Sequence, residues 1–182
     1  APRPAGGGRG PFRHLDVGSK FPYLGHCLVQ EGAKQGVALS SFGIDGIPEA
    51  REFGAQLGVD MAVGDFEADP STWEASPELL RGGFHLTTLV HCLEHFNQPV
   101  AVLRRLRQLL APGGVLFLRF PDSQAPGVER DFTPDHYLIH PVVWCESALY
   151  EALAQVGNGF RVYETYTLPG QRDCFLEPLA TR

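Results

Sequence analysis

Short apolar runs alternate with windows of helical periodicity along most of this chain. The runs typical of buried strands are FRHLDV, ALSSFGID, DMAVGD, FHLTTLV and VLFLRFP. Between them, YLGHCLVQEGA, PEAREFGAQLG and PVAVLRRLRQLLAPGG predict helices, whereas STWEASPELLRGG predicts a short helix or an irregular crossover. Strands separated by helices of this length predict right-handed βαβ units and a mainly parallel sheet.

The helical windows carry start and stop signals and apolar faces. Pro48 suits the first turn of the second helix and Gly58 suits its end. The first helix is expected to end near Gly32, with its apolar positions at Leu24, Cys27, Leu28 and Val29. In the clearest helix the apolar stripe comprises Val100, Leu103, Leu106, Leu109 and Leu110, and the residues pointing away are Arg104, Arg105 and Arg107.

The last third of the chain has a different pattern. PVVWCESALYEALAQVG predicts one helix. FRVYETYTLP and RDCFLEPLA predict two strands that are joined by only a few residues around Pro169 and Gly170. Such a short connection predicts an antiparallel hairpin.

Composition favours one globular domain without polyanionic partners. The chain has 182 residues, of which 43% are hydrophobic and 20% charged. The opening APRPAGGGRGP is too rich in Gly and Pro to bury a core, so we expect disorder over residues 1–11 and one domain over 12–182. The net charge of −6 argues against nucleic acid and membrane surfaces as partners.

The cysteines indicate a reducing compartment. Cys27, Cys92, Cys145 and Cys174 lie far apart and form no CxxC pair. We expect free, mostly packed thiols and a cytoplasmic location.

Acidic residues lie at the ends of three successive predicted strands, where open parallel sheets bind ligands. Asp45 is suited to a ribose diol or to capping the helix at Pro48. Asp65 is suited to an exocyclic amine or to stabilising a loop turn. Asp16 is expected to hold the following loop through backbone N–H bonds and, to a lesser extent, to bind a cationic group.

The stretch HCLEH at residues 91–95 matches H-x-x-E-H, an inverted zinc-protease signature. That chemistry needs a helix through both histidines, whereas FHLTTLV before them reads as a strand, so we expect no metal ion here. His91 and His95 are each suited to accepting a proton or to bonding within a loop, and the same alternatives hold for His136.

The order of these features resembles the class I S-adenosylmethionine-dependent methyltransferases, in particular a small bacterial branch with an LEH turn after strand four. The stretches that carry the resemblance are LDVGS, GIDGIPEA, VGDFEAD, TLVHCLEHFNQP and LRRLRQLLAPGGVLFLRFP, within about residues 12–166.

The resemblance implies a Rossmann-like three-layer α/β/α sandwich, whose mostly parallel seven-stranded sheet has an antiparallel C-terminal hairpin. It implies S-adenosylmethionine as cofactor, with Asp45 at the ribose, Asp65 and Phe66 at the adenine and His91 beside the methionine. The variable segment with Asp135, His136 and Tyr137 would meet the acceptor. The cofactor residues are then Asp16, Gly18, Ser19, Lys20, Asp45, Gly46, Asp65, Phe66 and His91, and the candidate catalytic bases are His95, His91 and His136.

The glycine loop departs from the family pattern D-x-G-x-G-x-G. Only Gly18 is in place, because Lys20 and Pro22 replace the next two glycines and the next glycine is Gly25. Either Lys20 reaches the cofactor carboxylate, or the domain is a weak or inactive methyltransferase-like binding and interaction module.

The resulting prediction is an enzyme that transfers a methyl group to a small-molecule acceptor, with a hydroxyl as the favoured acceptor group. An NAD-dependent oxidoreductase is disfavoured because GSKFPYLG lacks G-x-G-x-x-G and Asp45 comes late. The sequence does not indicate an oligomeric state.

Overall fold

The computed structural model describes residues 10–125, 140–157 and 159–178. Seven strands are present in these ranges: β1 Phe12–Val17, β2 Leu39–Asp45, β3 Asp60–Val63, β4 Phe84–Val90, β5 Leu110–Pro121, β6 Phe160–Leu168 and β7 Gln171–Pro178. The helices are α1 Tyr23–Lys34, α2 Glu49–Leu57, α3 Pro77–Leu80, α4 Pro99–Leu109 and α5 Glu146–Gln155, with 3-10 turns at Pro70–Thr72 and Leu93–His95.

The strands form one sheet in the order β3-β2-β1-β4-β5-β7-β6. β1 pairs with β2 and β2 with β3 in parallel, which puts their carboxyl ends at one edge. β7 lies antiparallel to both β5 and β6. The predicted mixed α/β sheet with an antiparallel C-terminal hairpin is therefore confirmed.

The described residues group into two compact units. The first runs to Thr88 and includes Leu109–Gly114, and the second comprises Leu89–Gln108 and the chain from Val115 onward. In the first unit Ala50, Val59 and Met61 form a buried cluster against which Ile47 and Leu57 pack. The fully buried hydrophobic side chains of the second unit include Leu89, Leu93, Leu103, Leu106, Leu116, Leu118, Phe120, Cys174 and Leu176.

Helix α1 differs from the prediction in its length and in its buried face. It continues two residues past Gly32 to Lys34, and Gly25 is its only buried residue. Leu24 and Cys27 are exposed. A Cβ on Gly25 would lie 2.3 Å from the Ser41 hydroxyl oxygen, so this glycine allows α1 to pack closely on β2.

Helix α2 has the predicted boundaries. Pro48 immediately precedes its first residue, and Gly58 ends it with a left-handed φ of 70°. A glycine after the last turn accepts that conformation without a Cβ clash, which is why it is common there.

Helix α4 is present, with a buried face shifted from the predicted one. Val102 is buried along with Leu103 and Leu106, and Leu110 belongs to β5. Arg107 is partly buried, because its Nε donates to the Gly159 carbonyl at 3.1 Å.

Helix α5 begins at Glu146, five residues later than the sequence predicts. The preceding Trp144 instead makes an isolated bridge to Asp122, and its carbonyl accepts a hydrogen bond from Ser123 N–H at 2.9 Å. This long-range pairing keeps residues 141–145 from joining the helix. Among the described helices, none is long and apolar enough to cross a bilayer.

Candidate active site

A chain of buried polar side chains runs from β2 through β1 to β4 in the first unit. The Asp16 carboxylate accepts a hydrogen bond from the Thr88 hydroxyl at 2.5 Å. Nε2 of His14 lies 2.9 Å from the same hydroxyl, and its Nδ1 lies 2.9 Å from the Ser41 hydroxyl. Each of these residues is at most 8% exposed, so the hydrogen bonds offset the cost of burying four polar groups.

Burial shifts the pKa values of two members of this chain in the directions that disfavour charge. It raises the pKa of Asp16, an effect that the hydrogen bond from Thr88 opposes and the charge of Asp45 reinforces. It lowers the pKa of His14 to about 4, so this imidazole is neutral at physiological pH. The neutral imidazole can bridge Thr88 and Ser41, because one ring nitrogen donates and the other accepts.

The sequence analysis singled out Asp16 but missed His14 and Thr88. His14 occupies an inward position of an apolar strand, where a lone histidine carries no local signal of its partners. Thr88 is 72 residues from Asp16, and only the pairing of β1 with β4 brings the two together.

The glycine loop after β1 is tied to β2 by its own backbone. Gly18 adopts a left-handed φ of 78°, and the N–H groups of Gly18 and Ser19 donate to the Ile44 carbonyl at 2.9 and 3.3 Å. Neither of these two N–H groups donates to Asp16, so the backbone N–H bonds expected between the loop and Asp16 are absent at Gly18 and Ser19. These two N–H groups are also engaged by the protein, which leaves the remainder of the loop to meet a ligand.

Lys20 and the residues after it take the place of the missing glycines. Lys20 is exposed, with its Nζ 5.4 Å from the centre of the Phe21 ring. Phe21 packs on Phe53 with ring centres 4.7 Å apart, and the buried Pro22 directly precedes α1. Helix α1 therefore begins one residue after Pro22, and the loop before it carries the solvent-accessible ammonium group of Lys20.

Asp45 ends β2 and uses only part of its hydrogen-bonding capacity. Its Oδ1 accepts from the Ile47 N–H at 3.1 Å, and this is its only side-chain hydrogen bond among the described residues. Gly46 follows, and a Cβ placed there would meet no atom within 4 Å. The Asp45 carboxylate therefore stabilises the turn into α2 and keeps an oxygen for a second partner.

Asp65 lies two residues beyond the end of β3. Its Oδ1 accepts from the Glu67 N–H at 2.8 Å, and its carbonyl accepts from the Trp73 indole at 2.8 Å. Phe66 is 4% exposed and stacks on Trp73, with ring centres 5.3 Å apart. Trp73, which the sequence analysis did not select, therefore holds both predicted adenine-site residues in place.

His91 belongs to the second unit and directly follows β4. Its backbone has a φ of 50°, a left-handed conformation that is uncommon for a residue with a Cβ. Its N–H donates to the Arg119 carbonyl at 2.9 Å, and its Nε2 lies 3.1 Å from Oε1 of Gln171. The surrounding contacts therefore hold His91 in a conformation that would otherwise be sterically costly.

The H-x-x-E-H stretch does not form a helix. His91 lies before the 3-10 turn Leu93–His95, so His91 and His95 do not share a helical face as the protease signature requires. Nδ1 of His91 lies 3.5 Å from Oε1 of Glu94, whose carboxylate raises the pKa of the imidazole against the opposing effect of burial. His95 is exposed, and His136 lies outside the described residues.

Comparison with known proteins identifies the family. Residues 5–164 match the sequence model of a family described as Methyltransferase domain. This chain belongs to the class I S-adenosylmethionine-dependent methyltransferases. The methyltransferase is 30% identical over 103 residues to a ubiquinone biosynthesis O-methyltransferase of Sodalis glossinidius, an alignment that covers 57% of this chain and 39% of that protein. The chain thus spans about two fifths of this curated relative.

Solved structures share the fold of this methyltransferase. A TehB-like S-adenosylmethionine-dependent methyltransferase from Corynebacterium glutamicum superposes with a TM-score of 0.66 at 14% identity, covering 98% of this chain and 83% of the other. The mitomycin 7-O-methyltransferase MmcR superposes with a TM-score of 0.66 at 18% identity, covering 93% of this chain and 49% of MmcR. At these identities the likeness establishes the Rossmann-like fold alone.

S-adenosylmethionine is the cofactor of this family, and the residues of the first unit fit its groups. Asp45 has a carboxylate oxygen to offer a ribose hydroxyl, and Gly46 leaves open space beside it. Asp16 is a buried carboxylate, which a cationic ammonium group would stabilise. The exposed Lys20 ammonium complements a carboxylate.

Proposed function

We propose that this methyltransferase moves a methyl group from S-adenosylmethionine to a small-molecule acceptor, and that the acceptor atom is a hydroxyl oxygen. The observation that carries the proposal is the set of carboxylates at the carboxyl ends of the parallel strands β1, β2 and β3, with Asp45 keeping an oxygen for a ligand. Support for oxygen as the acceptor comes from the sequence relative that is named as a ubiquinone biosynthesis O-methyltransferase.

In this proposal the cofactor residues of the first unit divide into three groups. Asp45 and Gly46 bind the ribose, Asp65 and Phe66 contact the adenine, and the remaining residues bind the methionine moiety: Asp16, Gly18, Ser19 and Lys20. Because the Phe66 side chain is 4% exposed and its ring stacks on Trp73, the adenine contact falls to the Phe66 backbone and the Asp65 carboxylate.

The chemistry requires alignment and removal of one proton. The bound cofactor supplies an electrophilic methyl group on a sulfonium, which an acceptor oxygen attacks in line. The chain must position that oxygen and accept its proton, and the candidate bases are His91, His95 and His136. The strained backbone of His91 supports a functional role for this residue, because such conformations concentrate at functional sites.

Calorimetric titration with S-adenosylmethionine and S-adenosylhomocysteine tests the cofactor assignment, with NAD as the control ligand. Micromolar binding of the first two without NAD binding is the expected result. A panel of hydroxyl, amine and carbon acceptors, incubated with cofactor carrying an isotope-labelled methyl group, then tests the acceptor. Label recovered only on nitrogen or carbon would reject O-methylation.

The second candidate function is a methyltransferase-like interaction module. One observation favours it: the Gly18 and Ser19 N–H groups, which a glycine-rich loop would present to the cofactor, already donate to Ile44. If neither S-adenosylmethionine nor S-adenosylhomocysteine binds the folded protein, this candidate replaces the enzyme.

A further inference from the structure

Two histidines and a buried glutamate converge in the second unit. One ligand atom each of Glu94, His95 and His140 lies within 4.8 Å of the other two. The rings of His95 and His140 are tilted by 42° with centres 4.7 Å apart. His140 is 46 residues from Glu94 in sequence, so their approach is a result of folding.

Backbone contacts place His140 beside the turn that carries Glu94. The Val142 N–H donates to the Glu94 carbonyl at 3.4 Å. Trp144, two residues further, is fixed by its bridge to Asp122. The segment from His140 to Trp144 is therefore held at two points, and it presents His140 at the same place as the side chains of the 3-10 turn.

The Glu94 carboxylate is the buried member of this group and lacks hydrogen bonds within the described part of the chain. It is 2% exposed, and neither carboxylate oxygen has a hydrogen bond among the described residues. Nδ1 of His91 lies 3.5 Å from its Oε1. Burying a carboxylate without hydrogen bonds is costly, and proteins commonly recover this cost by pairing it or by coordinating a metal ion.

We infer that Glu94, His95 and His140 form a binding site for a divalent first-row transition metal, with zinc as its representative. Two imidazole nitrogens and one carboxylate oxygen are a common protein ligand set for zinc, with the fourth position open to water or another oxygen. Tetrahedral zinc spaces its ligand atoms about 3.3 Å apart. The three ligand atoms already lie within 4.8 Å of one another, so modest side-chain movement would bring them to that spacing. His95 is exposed and gives the ion access from solvent.

This site differs from the one that the H-x-x-E-H motif indicates. The motif uses His91 as the first ligand, whereas the present site replaces His91 with His140. Metal binding can be measured without methyl transfer, although a His95 that binds the ion would serve as a ligand and not as one of the candidate bases.

The test is metal binding by the full chain, freed of metal with a chelator. Zinc is titrated in competition with a chromophoric chelator, and cobalt(II) serves as a spectroscopic probe of coordination. The variants are Glu94→Gln, His95→Gln and His140→Gln, with His91→Gln as the matched control. Circular dichroism and thermal unfolding establish that each variant is folded.

The expected result is one equivalent of zinc on the wild-type chain and on His91→Gln, with affinity reduced at least tenfold in each of the three ligand variants. Cobalt should give the intense visible absorption of tetrahedral coordination on the wild-type chain, so the proposal stays testable even where a variant fails to fold. Absence of stoichiometric zinc binding by the wild-type chain overturns it. Loss of binding in His91→Gln with retention in His140→Gln also overturns it and assigns the metal to the sequence motif.

Discussion

The Thr88 hydroxyl donates a 2.5 Å hydrogen bond to the Asp16 carboxylate, joining β4 to β1 beneath the glycine loop. Both residues are at most 8% exposed, so the Asp16 carboxylate has little access to water as an alternative partner. The loop that follows Asp16 begins at Gly18, only two residues away. The hydrogen bond therefore supports both the stability of the first unit and the position of the glycine loop.

Thr88→Val should lower the free energy of unfolding by about 1–3 kcal/mol, because it leaves a buried carboxylate without its hydroxyl donor. The neighbouring Thr87 provides the control. It is equally buried, and its hydroxyl has no hydrogen-bond partner in the described chain, so Thr87→Val should be neutral or stabilising. Urea unfolding of both variants measures the difference, and equal losses would mean that the Thr88 hydrogen bond contributes nothing specific.

Acid should destabilise the protein through His14. Burial lowers its pKa to about 4, below the 6.5 of an unperturbed histidine, so the folded state binds fewer protons than the unfolded state. The resulting stability is present above the unfolded pKa and is lost as the pH falls toward the folded pKa. Protonation of His14 alone should lower the free energy of unfolding by about 2 kcal/mol as the pH falls from about 7 to about 5.

His14→Asn removes this titration and serves as the comparison in urea unfolding. The Asp16 pKa, raised by burial, acts in the opposite direction, because its contribution is largest at low pH and is lost as the pH rises through its folded value. Asp16 is present in both proteins, so the difference between the two pH profiles isolates His14. Parallel profiles for wild type and variant would show that His14 is not the titrating group.

Asp45→Ala should weaken S-adenosylmethionine binding by roughly 1.5–3 kcal/mol, the scale of hydrogen bonds to a charged group. Asp60→Asn is the matched control. Asp60 is the first residue of β3, so it lies at the amino end of the parallel strands, whereas the proposed ribose site lies at their carboxyl end. Calorimetry on both folded variants provides the measurement. Unchanged affinity in Asp45→Ala would remove the ribose assignment.

Gly25→Ala should destabilise the protein although alanine is the better helix former. The helix gains about 1 kcal/mol in propensity, whereas crowding a packed contact costs about 1–3 kcal/mol. The new Cβ would meet the Ser41 hydroxyl at 2.3 Å. Gly25→Ala should therefore cost less stability when it is made in the Ser41→Ala variant than when it is made in the wild-type chain. Strict additivity in this double-mutant cycle would mean that Ser41 is not the source of the clash.

Much of the fold is determined by local sequence. FHLTTLV predicts β4 over the residues observed, and the short connection at Pro169 and Gly170 predicts the hairpin of β6 and β7. Pro48 and Gly58 mark the two ends of α2: proline favours the start of a helix, and glycine accepts the left-handed conformation that ends it. Such features depend on residues within a few positions of one another, where backbone sterics and periodicity act directly.

Tertiary structure decided which side chains meet. The Thr88 partner of Asp16 and the His140 neighbour of Glu94 lie 72 and 46 positions away, beyond the range of any periodic pattern. The late start of α5 has the same origin, since the bridge from Trp144 to Asp122 competes with helix formation. The sequence alone thus determined the order of strands and helices and the acidic residues at the ends of three strands. Tertiary packing decided which buried polar groups are hydrogen-bonded, as Asp16 is, and which, like Glu94, have no hydrogen bond among the described residues, because both partners must be brought together from distant positions.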